Sequence, residues 1–110
     1  MKGTYLGEFE EIVLLAVAIL HEEAYGYALS QEIEAQTGRA VSLSAIHSAL
    51  HRLEKKGFLA SHLAGATTKR GGKRRRFFAM TREGKAALQE AMEVRQKMWA
   101  SIPKVVWEGR

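Results

Sequence analysis

The residues of this chain best suited to chemistry fall between positions 42 and 76. Ser44, Ser48, His51 and Lys55 share one face of a helix, with His47 and Arg52 on its flanks. That face carries small hydroxyls near its start, cations near its end and no bulky apolar group. Further on, Lys69, Arg70, Lys73, Arg74, Arg75 and Arg76 surround the pair Gly71 and Gly72. A reader of duplex nucleic acid needs both sets. Cations neutralise phosphates, and short polar side chains at a helix start approach base edges without collision. Glycines let a backbone come close to a phosphate or a groove floor.

Other chemistries fit the residues less well. Asp is absent, which removes a common carboxylate partner from catalytic constellations. Ser101-Ile102-Pro103-Lys104 has Ser-x-x-Lys spacing, but a proline-broken segment is a poor setting for a nucleophile. In the stretch from Gly65 to Lys73 the glycines are too far apart for a phosphate loop, and Arg74 stands where a magnesium-binding hydroxyl belongs. His47 and His51 have the i, i+4 spacing of helical metal ligands, without an evident third ligand. No metal, cofactor or enzymatic activity is expected.

Charge is segregated along the chain. Residues 1–40 hold two basic residues against seven glutamates, a net of −5. Residues 41–85 hold eleven Lys and Arg against Glu54 and Glu83, a net of +9, and residues 86–110 a net of +1. A basic block of this kind inside a folded domain attracts a polyanion, with nucleic acid the leading candidate. Cysteine is absent, which fits a reducing compartment. The longest apolar run, Ile12 to Leu20, is too short to span a bilayer and follows Glu8, Glu10 and Glu11 rather than a basic region. A cytoplasmic location is expected.

Four helices and one hairpin must position these residues. Phe9, Ile12, Val13, Ala16, Val17 and Leu20 recur at helical spacing and predict a first helix over about 7–21. Tyr25-Gly26-Tyr27 forms the turn into a second helix over about 27–37, with Leu29 and Ile33 inward and Gly38 as its stop. One of Tyr25 and Tyr27 is expected in the core and the other at a phosphate. The third helix runs from about Ser42 to Gly57. Ser42 or Ser44 caps it, and Ile46, Leu50 and Leu53 share its inner face. Phe58–Ala64 and Arg74–Met80 read as strands joined by the basic loop. Strand alternation sends Arg74 and Arg76 one way and Arg75 the other, so Arg75 or Arg76 covers the sheet or meets a glutamate. Thr81 caps a last helix that reaches about Ser101, ahead of Pro103.

This order predicts a mainly α fold with a small β-hairpin. It is a winged helix-turn-helix domain over 1–80, with a C-terminal dimerisation helix and short tail over 81–110, all one compact unit. The last helix carries Leu88, Met92, Arg95, Trp99 and Ile102 on one line, with Ala87, Ala91, Val94 and Met98 beside it. That face is too wide for one small domain to cover and predicts a two-fold dimer. If buried there, Arg95 needs a carboxylate such as Glu90 or Glu93 from either protomer. Trp99 is read first as packing between protomers and second as an aromatic floor for an effector. Trp107, beyond Pro103, is expected to be loosely held.

The motifs, taken in order, resemble the PadR family of transcriptional regulators. The residues that carry the likeness are Leu6-Gly7-Glu8-Phe9-Glu10-Glu11, Glu22-Glu23-Ala24-Tyr25-Gly26-Tyr27, Ser42-Leu43-Ser44-Ala45-Ile46, Leu50-His51-Arg52-Leu53-Glu54-Lys55-Lys56-Gly57, Arg70-Gly71-Gly72-Lys73-Arg74 and Met80-Thr81-Arg82-Glu83-Gly84. The resemblance covers nearly the whole chain. It implies a homodimer on a partly palindromic operator in double-stranded DNA, usually as a repressor, and in some relatives release by a small aromatic or cationic effector. The chain departs from the family where Ser44-Ala45-Ile46-His47 replaces Gly-x-Leu/Ile-Tyr, so a histidine stands where a tyrosine is expected at the DNA. A histidine contact there makes binding depend on pH near neutrality. Two rival readings carry different signatures. A module that binds nucleic acid without sequence preference shows steep salt dependence and no preferred site. A protein-interaction module with an acidic partner binds duplex DNA no better than heparin.

Overall fold

The computed structural model describes residues 6–64 and 74–108. Among them, helix α1 (Glu8–Leu20), a 3-10 turn (His21–Glu23), α2 (Gly26–Thr37), α3 (Leu43–Lys55), strands β1 (Leu59–Ala64) and β2 (Arg75–Met80), α4 (Arg82–Ala100) and a second 3-10 turn (Lys104–Val106) follow in order. None of these helices is long and apolar enough to cross a membrane.

The helix ends show why the chain turns where it does. Glu10 folds back so that its Oε1 accepts the Gly7 N–H at 2.9 Å, satisfying one orphan donor at the start of α1. At the other end of α1, His21 holds φ +56° and ψ −110°, a conformation that an L side chain rarely adopts. Gly38 ends α2 at φ +78°. Ser42 caps α3 by accepting the Ala45 N–H at 3.1 Å. Gly57, at φ +84°, closes α3 in a Schellman turn: its N–H donates to Glu54 O at 3.0 Å, and the Phe58 N–H donates to Leu53 O at 2.9 Å.

One core joins these elements. Val13, Leu14 and Val17 of α1, Leu29 and Ile33 of α2, and Ile46, Leu50 and Leu53 of α3 are almost wholly buried. Each such side chain contributes about 1.5–3 kcal/mol of apolar burial. The hairpin closes the open side of this core. β1 and β2 are antiparallel, with Leu59 opposite Met80 and Ala64 opposite Arg75. The inner face brings Leu59 and Phe78 to the core, and the outer face carries His62, Phe77 and Arg75. A third segment joins the ribbon. The Phe78 N–H donates to Ala24 O at 2.9 Å, and Tyr25 forms an isolated antiparallel bridge with Phe77. The residues entering α2 are thereby laced to β2.

Thr81 caps α4 by accepting the Gly84 N–H at 3.0 Å, while its own hydroxyl donates to Gly57 O at 2.7 Å. Gly84 is buried against the Phe58 carbonyl, and a Cβ built on it would lie 2.2 Å from that oxygen. Only the first half of α4 packs on the core, through Leu88, Ala87 and Met92. Past Met92 its apolar side chains Val94, Met98 and Trp99 are at least half exposed. Beyond Pro103 the chain folds back so that Trp107 lies on Trp99, with ring centroids 5.2 Å apart. Trp107, expected to be loosely held, has this ring contact and is otherwise largely exposed.

Candidate nucleic-acid interface

The buried stripe of α3 fixes what its other face presents. With Ile46, Ala49, Leu50 and Leu53 inward, Ser44, His47, Ser48, His51 and Lys55 are exposed together on the outside. They form one continuous surface that runs from hydroxyl to imidazole to ammonium. Ser42 is exposed too, but its hydroxyl oxygen is engaged as the cap of α3. The His47 ring lies over the start of α2, where a Cβ on Gly26 would meet its Cε1 at 3.0 Å. Gly26 thus leaves room for a ring at position 47.

The cations at the end of α3 divide. Lys55 faces outward. Arg52 and Lys56 turn towards α1 and meet the buried Glu10, with Arg52 Nε on Oε2 at 3.1 Å and Lys56 Nζ on Oε1 at 2.7 Å. Burial pushes the Glu10 carboxyl up. Donation from Lys56, the Gly7 N–H and Arg52 outweighs that push, and the carboxyl lies below its ordinary value. Arg52 stays half exposed, so its position on the flank of the outer face is set by an acid of α1. Nothing in the local sequence marks this pairing, because Glu10 stands 42 residues away.

At the hairpin, the expected residues Lys69, Arg70, Gly71, Gly72 and Lys73 lie outside the described residues. Arg74 is exposed just before β2. The next two arginines part as strand alternation requires. Arg76 donates to Ser61 Oγ at 3.0 Å, and Ser61 donates to Glu54 Oε2 at 2.8 Å, tying β2 through β1 to α3. Arg75 instead lies over the Tyr25 ring, its Cζ 4.4 Å from the centroid. Tyr25 is half buried between Arg75 and Phe77, whereas Tyr27, in the first turn of α2, is 58 % exposed.

On α4, Leu88 belongs to the chain's own core and Ala91 and Met92 are half buried, as is Ile102 just beyond the helix. Met98 and Trp99 are about two-thirds exposed. Arg95 finds its carboxylate on α1 rather than in Glu90 or Glu93. Its Nε and Nη2 donate to the two oxygens of Glu11 at 3.0 and 2.9 Å.

Residues 14–90, from the middle of α1 into α4, match the transcriptional regulator PadR-like family. The "Uncharacterized protein X" of Lysinibacillus sphaericus is 30 % identical over 102 residues, covering 91 % of this chain and 85 % of its own. A PadR-like transcriptional regulator from Bacillus cereus strain ATCC 14579 has the same fold, with a TM-score of 0.74 at 22 % identity over 92 % of this chain and 93 % of that one. A PadR family transcriptional regulator from Eggerthella lenta DSM 2243 gives 0.68 at 28 % identity, covering 93 % and 88 %. The four helices and hairpin seen here are the winged-helix arrangement of those regulators. With its sequence match spanning the core, α3 and the hairpin, this chain belongs to the PadR-like family of DNA-binding transcriptional regulators.

Proposed function

We propose that the chain is a sequence-specific regulator, acting as a repressor in the cytoplasm, that binds a partly palindromic operator as a homodimer. The observation that carries this reading is the outer face of α3. Its small polar start enters the major groove, and Lys55 together with the hairpin cations meets the phosphates on either side. In this reading Ser44, His47 and Ser48 reach base edges and Tyr27 reaches a phosphate, supported by the exposure of all four.

The segment from residue 81 onward serves as the dimerisation helix, and residues 1–80 as the reading domain. Support comes from the apolar surface that α4 leaves open. Val94, Met98 and Trp99 on α4 and Val105, Val106 and Trp107 beyond it are each at least half exposed, and Trp99 meets Trp107. A patch of this kind on one side of a projecting helix is the natural seat of a two-fold partner. Met92, Arg95 and Ile102 border it. A small aromatic or cationic effector, where one acts, has Trp99 as its aromatic contact.

Selection of bound duplexes from a random pool at near-physiological salt tests this function. An enriched inverted repeat, with half-sites about one helical turn apart, together with a dimer mass by sedimentation, is the expected result. Binding with no enriched sequence would leave a non-specific nucleic-acid module as the better account. Failure to bind duplex better than heparin would favour an acidic protein partner.

A further inference from the structure

Arg75 and Arg76 are neighbours on β2 with opposite treatment. Arg76 is drawn through Ser61 to the carboxylate of Glu54. Arg75 is exposed on the other face, and among the described residues no carboxylate lies within ion-pair distance of it. Its partner is the Tyr25 ring. That ring is itself fixed: Tyr25 is the N-cap of α2, bridges to Phe77 and meets the Phe77 ring edge-on at 5.5 Å. Phe77 in turn stacks on His62 of β1 at 6.0 Å. A row of rings therefore crosses the outer face of the ribbon and ends beneath a guanidinium.

The physical difference between the two arginines is the charge that remains. A carboxylate cancels a guanidinium and occupies its N–H groups. An aromatic face holds the ion by its quadrupole and leaves the charge and the in-plane donors available. It also restricts the rotamers of a long side chain, which lowers the entropy lost when a phosphate is gripped.

We infer that Tyr25 is a positioning residue whose ring holds the Arg75 guanidinium ready for a DNA backbone phosphate, and that the Tyr25 hydroxyl is not the contact. The inference rests on the DNA-binding reading above and deepens it. It assigns Arg75 a phosphate and gives Tyr25 a role through its ring alone.

The test is equilibrium binding of the full chain to the duplex enriched by the wild type, or to the random pool if none is enriched, as a function of salt. Arg75→Gln should weaken binding about five-fold near 0.15 M salt and flatten the log–log salt slope by about 0.9, the loss of one phosphate contact. Tyr25→Leu should weaken binding about two- to five-fold. Tyr25→Phe should stay within about two-fold of wild type, since the ring remains. The double variant Tyr25→Leu/Arg75→Gln should bind no more weakly than Arg75→Gln alone, to within about two-fold. A Tyr25→Phe loss as large as that of Tyr25→Leu, additive losses in the double variant, or an unchanged slope in Arg75→Gln would overturn the inference while the DNA-binding reading stood. No binding of the wild type to any duplex would overturn that reading and the inference with it. Thermal midpoints of all variants identify any loss that comes from unfolding, and Arg75→Gln, at an exposed site, keeps the test decisive if Tyr25→Leu is destabilised.

Discussion

Arg95 grips Glu11 through two parallel hydrogen bonds, Nε to Oε1 at 3.0 Å and Nη2 to Oε2 at 2.9 Å, and so joins the middle of α4 to the first turn of α1. The Glu11 side chain is nearly buried, whereas that of Arg95 is largely exposed. Replacing Arg95 strands a buried carboxylate, which is worse than removing the pair. Arg95→Met should therefore lower the thermal midpoint, and adding Glu11→Gln to it should restore part of the loss. Equal midpoints for the wild type and Arg95→Met would show that the fork does not hold α4.

Acid should loosen the contact between α1 and α3 through Glu10. Its carboxyl is lowered in the folded protein, so the folded state holds that proton less tightly than the unfolded chain. The resulting stability is complete above the ordinary glutamate range and is lost as pH falls through the lowered value. Urea midpoints from about pH 7 to about pH 3 should show this loss, with a flatter acid limb in Glu10→Gln. At neutral pH the same substitution should cost about 1–2 kcal/mol, a modest figure because Arg52 is half exposed.

Gly84→Ala runs against helix propensity. Alanine is favoured over glycine inside a helix by about 1 kcal/mol. The added methyl, however, meets the Phe58 carbonyl at 2.2 Å, and backbone must shift to admit it. A net destabilisation of at least about 2 kcal/mol is expected by chemical denaturation. A stabilised variant would mean that α4 does not press on Phe58.

His21→Gly should act in the opposite direction. At φ +56° and ψ −110°, histidine holds a backbone shape that only glycine adopts without strain. Its side chain is 84 % exposed, so little packing is lost. A gain of about 0.5–1 kcal/mol is expected from the same denaturation measurement.

Gly26→Ala probes the interface rather than the core. Its methyl displaces the His47 ring, an exposed and movable group. Stability should change by no more than about 0.5 kcal/mol, while affinity for the selected duplex falls. Unchanged affinity would separate His47 from DNA recognition.

Much of the architecture was legible from local patterns. The spacing of Ile46, Leu50 and Leu53 gave α3 its inner stripe and, by exclusion, its outer face. Gly38 and Gly57 marked two helix ends and Thr81 one start, and Ser42 or Ser44 another, of which the structure uses Ser42, because each answers a need of the backbone within a few residues. The same alternation that separated Arg75 from Arg76 was readable in advance, although not which partner each would take.

Periodicity, caps and the segregation of charge are properties set by neighbours along the chain, and residue order alone carries them. Tertiary structure alone decided the pairings across it: Glu10 with Arg52 and Lys56, Glu11 with Arg95, Tyr25 with Arg75, and Gly84 with the Phe58 carbonyl. Each depends on where two distant segments meet once the core has closed. Twelve glutamates and seventeen basic residues offer far more possible pairs than the fold can make. Burial of the apolar stripes chooses among them, by fixing which charged side chains come within reach of one another.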